Sequence, residues 1–153
     1  MLIFPLAGCN RVNLPVTRAG TLAFSQVVVP EPIITNGDPS KASMACYLTI
    51  ANDGDVADTL LAVESPLARQ GTLHVTMEHG GMMAMNALPL SPHSVLRMAP
   101  GGTHLMFEGL SRVIVAGDNV PLVLVMAKAG RVTVTARVVT YNQFDALRGD
   151  SLH

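Results

Sequence analysis

Short runs of alternating apolar and polar residues, broken by glycine, proline, asparagine and aspartate, set the pattern of this chain. The alternation is clearest over 131–139, where Val132, Val134, Ala136 and Val138 share one face of a strand and Thr133, Thr135 and Arg137 the other. Further runs rich in Val, Ile, Leu and Thr read as strands at 21–29, 45–51, 59–65, 73–78, 83–90, 95–98, 104–110 and 120–126. Explicit turns separate them: Asn52-Asp53-Gly54-Asp55, Ala99-Pro100-Gly101-Gly102, Ala116-Gly117-Asp118-Asn119 and Lys128-Ala129-Gly130. Only 66–70 suggests a short helix, and no internal repeat is visible. Short strands at this spacing predict an all-β domain, a β-sandwich or Greek-key barrel, over residues 21–140. Residues 10–20 read as a polar linker before it, and 141–153 as a polar, frayed tail after it.

Composition narrows the partners. A chain of 153 residues is one domain by length and long enough for a real core. It is 49% hydrophobic and 14% charged, with a formal net charge of −1 and no run of Lys or Arg, which argues against nucleic acid or an anionic membrane surface. Without Trp it also lacks the usual stacking platforms for bases or sugars. Residues 1–9 end in Leu6-Ala7-Gly8-Cys9, which resembles a bacterial lipobox and reads as a truncated lipoprotein signal. The expectation is a periplasmic or otherwise extracytoplasmic domain whose one tie to a membrane is a lipid on Cys9. No later segment reaches the ~20 apolar residues of a membrane helix. Cys46, inside a predicted strand, reads as an ordinary buried thiol.

Methionine and histidine carry the candidate chemistry. Six of nine methionines and four of five histidines fall between residues 74 and 106. In His104-Leu105-Met106 the strand period sends His104 and Met106 to one face, at the end of a strand entered from Gly101-Gly102. A hairpin through Gly80-Gly81 brings His74 and Met85 onto neighbouring strands, with Met83 on the same face as Met85 and Met82 facing away. Thioethers are soft, neutral donors that suit Cu(I) and discriminate against Zn(II), Mg(II) and Ca(II), while imidazole is a borderline donor. Two His with two Met make a near-tetrahedral, uncharged site for a monovalent ion, and methionine is not lost to a disulfide in an oxidising compartment. Imidazole must shed its proton to bind, so affinity falls at acid pH. Met82, Met98 and His93 read instead as ordinary packing or surface residues, and His79 and Met77 as auxiliary contacts.

The stretch from His74 to Met106 resembles the periplasmic copper chaperone family PCu(A)C, with its signature His-x10-Met-x21-His-x-Met. Ten residues separate His74 from Met85, as in the signature, and His104-Leu105-Met106 supplies its end; eighteen residues rather than twenty-one lie between Met85 and His104. Gly81-Met82-Met83-Ala84-Met85 and Pro100-Gly101-Gly102-Thr103-His104-Leu105-Met106 resemble the family context, as do Ala45 to Asp55 and Gly117 to Leu122. The resemblance implies a cupredoxin-like β-sandwich with an exposed Cu(I) site made by His74, Met85, His104 and Met106. It implies a chaperone that passes copper by ligand exchange to an acceptor protein, typically the CuA centre of cytochrome c oxidase, with Met77, Met82 and Met83 as a soft docking rim. No paired-carboxylate, nucleophile–base or phosphate-loop pattern points to an enzyme. Two rivals are a blue-copper electron-transfer protein, which needs a Cys ligand, and a β-sandwich that binds only protein.

Overall fold

The strands over 43–52, 119–126 and 130–139 follow from their alternation, one side chain into the core and the next out. The computed structural model describes residues 12–149. Along the chain run β1 (Thr17–Ala19), β2 (Leu22–Pro30), β3 (Ser43–Asn52), β4 (Asp58–Glu64), β5 (Ala68–Thr76), β6 (Met82–Met85) and β7 (Leu88–Leu90). After these come β8 (Ser94–Arg97), β9 (His104–Leu110), β10 (Asn119–Met126), β11 (Gly130–Val139) and the helix α1 (Tyr141–Gly149). The strands pair in the order β6-β5-β9-β3-β2-β11-β10-β4-β7, with β1 added to β2 and β8 to β3. Every pairing is antiparallel except that of β2 with β11, where Val28, Val29 and Pro30 run alongside Arg137, Val138 and Val139.

Strand β3 joins the two layers. Its first half, Ser43 to Cys46, pairs with β9, while its second half, Thr49 to Asn52, pairs with β8. Met44, Cys46, Leu48 and Ile50 all point into the core, so Ala45, Tyr47 and Thr49 face outward. The core is completed by Val120, Leu122, Leu124 and Met126 of β10 and by the four alternating residues of β11 read from the sequence. Burial of this apolar set is the main driving force of the fold.

Four sequence expectations change. The run 83–90 is two strands, because the chain breaks at Asn86 and Ala87 before Leu88 re-enters the core. No helix forms at 66–70; Ala68 to Gln70 instead extend β5 against β9. Within the 10–20 linker, Thr17 to Ala19 pair with β2. The 141–153 tail contains α1, whose Phe144 is buried against Val28 and Val139 on the outside of the sheet. No helix among the described residues is long and apolar enough to cross a membrane. The lipobox-like segment ending at Cys9 lies outside the described residues.

Candidate metal centre

Strands β5 and β9 set the site. His74 stands directly opposite His104, Leu73 opposite Leu105, and Thr72 opposite Met106. Leu73 and Leu105 are buried in the core, so by the two-residue period His74, His104, Thr72 and Met106 share the outer face. The two imidazole rings meet edge to face with centroids 5.5 Å apart. His104 is only 4% exposed; His74 and Met106 are half-buried.

Hydrogen bonds decide which nitrogens are free. His104 Nδ1 lies 3.1 Å from the Gly102 carbonyl, an acceptor, so Nδ1 carries the proton and Nε2 keeps its lone pair. The turn before β9 holds that carbonyl in place. Gly102 N donates to Ala99 O at 2.9 Å, and Pro100 precedes Gly101 at φ 81°, the arrangement of a type II turn. Gly102 O also accepts from the Thr76 backbone N at 3.2 Å and its hydroxyl at 3.3 Å, tying the turn to β5.

On the other side, Thr72 Oγ1 lies 3.3 Å from His74 Nε2 and donates to Met106 O at 3.4 Å. A hydroxyl has one hydrogen, so with that hydrogen given to Met106 O it accepts from Nε2–H. His74 Nδ1 is then a bare lone pair, and it is buried with no hydrogen-bond partner. A buried acceptor left unmatched is costly, and a bound cation satisfies it.

The donor set selects the ion. Among the described residues no group of three or more His, Cys, Asp or Glu is placed to hold a metal. Two imidazoles beside one thioether suit a soft monovalent cation. Cys46 takes no part. It pairs with Leu105, points inward and is fully buried, and that burial pushes its thiol pKa far up, away from the thiolate a blue-copper site requires.

A family model for LpqE-like proteins matches residues 22–138, most of the chain. The chain belongs to the LpqE-like family. This family is of PCuAC type, and the fold of this LpqE-like chain is cupredoxin-like. The copper-bound PCuAC domain from PmoF2 is 25% identical, with a TM-score of 0.69 over 82% of this chain and 98% of that one. The apo PCuAC domain from PmoF1 is 22% identical, with a TM-score of 0.71 over 82% of this chain and 99% of that one. The Cu(I) form of DR1885 from Deinococcus radiodurans is 24% identical, with a TM-score of 0.61 over 75% of this chain and 76% of that one. No curated protein matches the chain.

In this LpqE-like chain three of the four expected ligands, His74, His104 and Met106, come to one face. Met85 is on the neighbouring strand but stands opposite Leu73, with Ala84 opposite His74; its side chain packs against the core instead. Met83 shares that inner side, while Met82, 59% exposed, alternates onto the face of His74. Met82 is therefore no packing residue, unlike Met98, which is buried in the core. Met77 and His79 are exposed in the hairpin turn between β5 and β6. His93 is paired with Asp55 at 2.6 Å, apart from the site. Sequence reasoning missed Thr72, although its i, i+2 spacing to His74 is the signal that also marks His104 and Met106.

Proposed function

We propose that this LpqE-like protein is a copper chaperone that carries one Cu(I) on His74 Nδ1, His104 Nε2 and Met106 and delivers it to an acceptor protein outside the cytoplasm. The observation that carries the reading is the buried, partnerless Nδ1 of His74 across from an imidazole whose other nitrogen is tied to a carbonyl. The copper-bound PmoF2 domain and the Cu(I) form of DR1885 support it. Met85 is the proposed fourth donor. A one-residue slip of β6 along β5 would turn its side chain to the His74 face, and β6 is a four-residue strand at the edge of the sheet. Release then proceeds by ligand exchange, the neutral donors leaving one at a time for a Cys or Met of the acceptor. The CuA centre of cytochrome c oxidase is the proposed destination, and a lipid on Cys9 the proposed anchor.

Titration of Cu(I) against a chromophoric chelator tests the reading: one-to-one binding supports it, and failure to compete sinks it. His104→Ala should weaken binding strongly and His93→Ala not at all; equal losses would mean the ligands are elsewhere. X-ray absorption of the Cu(I) form should count two nitrogen and two sulfur donors, one sulfur disappearing in Met85→Leu. If Met82→Leu removes it instead, β6 keeps its register and Met82 is the donor.

A further inference from the structure

Three rings stand in a row across the outer face of the sheet. His74 on β5 and His104 on β9 are followed by Tyr47 on β3, whose ring centroid lies 6.2 Å from that of His104 at an interplanar angle of 40°. Tyr47 is there because Cys46 and Leu48 take the flanking inward positions, and because Ala45, two residues earlier on the same face, pairs with Met106. Behind Tyr47 stands Phe144 of α1, 5.1 Å away between centroids, itself buried on Val28 and Val139. Tyr47 and Met106 line one cleft of about 480 Å³ together with Phe144.

An aromatic wall beside a metal acts on the ion's charge. The cost of holding an ion in apolar surroundings grows as the square of its charge, so Cu(II) is penalised on the order of four times as heavily as Cu(I). The apolar shell around a metal site sets solvent access and hence redox potential. An aromatic face also attracts a weakly hydrated cation. We propose that Tyr47, backed by Phe144, is the specificity-determining residue that keeps this site selective for Cu(I), by walling the copper off from water and holding the His104 ring in place.

This inference rests on the copper reading above. The test is the midpoint potential of the copper-loaded protein, titrated with ferricyanide, each Cu(I) giving one electron to one ferricyanide and becoming Cu(II). Alongside it, the dissociation constants for Cu(I) and Cu(II) are measured on the same samples. Tyr47→Ala should lower the potential, favouring Cu(II) over Cu(I) by about tenfold in relative affinity, while Tyr47→Phe stays with the parent protein. Phe144→Ala, which leaves β3 untouched, should move the potential in the same direction by less. Should Tyr47→Ala not fold, Phe144→Ala decides alone. A copper-loaded Tyr47→Ala or Phe144→Ala protein with an unchanged potential overturns the role of Tyr47, whereas a parent protein that binds no copper overturns the reading beneath it.

Discussion

Replacing Thr72 by valine keeps the shape of the residue and removes the hydroxyl that receives the His74 Nε2 proton. Without that acceptor nothing holds the tautomer that bares Nδ1, and loss of such an outer-shell partner costs about 10- to 100-fold in metal affinity. Thr72→Val should therefore lose Cu(I) affinity on that scale while its melting temperature hardly moves, because Thr72 lies outside the core. Chelator competition and thermal unfolding of the same sample check both halves. The outward pairing of His104 with Met106 was legible from a two-residue period alone, whereas the role of Thr72 depends on a hydroxyl's single hydrogen, which no spacing rule reports. The Gly102 carbonyl was equally hidden, since a backbone oxygen has no letter in the sequence.

At the scale of elements, Asp58 pins the start of β4 to the turn between β10 and β11. Its carboxylate accepts backbone N–H bonds from Thr59 at 2.7 Å, Lys128 at 2.9 Å and Ala129 at 3.0 Å. Desolvation by itself would raise its pKa, but these three bonds and the charge of Lys128 outweigh it and leave the pKa below 3.8. A depressed carboxylate pKa contributes stability that is present above the unfolded value, about 3.9, and is lost as pH falls through the folded one. Asp58→Ala should thus cost about 2 kcal/mol at neutral pH, and the gap to the parent protein should narrow in acid; urea melts at pH 7 and pH 3 measure it. A gap that is the same at both would mean the carboxylate's charge is irrelevant. Strand β9 begins and ends where its pattern predicted, at His104 and Leu110, because an explicit turn precedes it. The face on which Met85 stands, opposite Leu73, was not legible, because a hairpin brings two strands together without saying which residue faces which, and one residue of register reverses every side chain. The helix α1 was hidden for a different reason: a polar stretch with one buried ring, Phe144, has little amphipathic signal until the sheet beneath it is known.

Across the whole molecule, the site sits on adjacent strands that also carry the core on their other face, so loading it should stabilise the fold. A ligand that binds only the folded state at a hundred times its dissociation constant adds about 2.7 kcal/mol. Anaerobic Cu(I) should accordingly raise the melting temperature, and the same concentration of Zn(II) should leave it unchanged. A rise with zinc would contradict a donor set read as too soft for it.

The parallel seam between β2 and β11 has a consequence of timing. It joins Val28 to Arg137, a contact between the first long strand and the last, with most of the chain between them. Long-range pairings of this kind are made late and slowly. A growing chain therefore has no closed sandwich until its final strand, β11, is free to pair with β2.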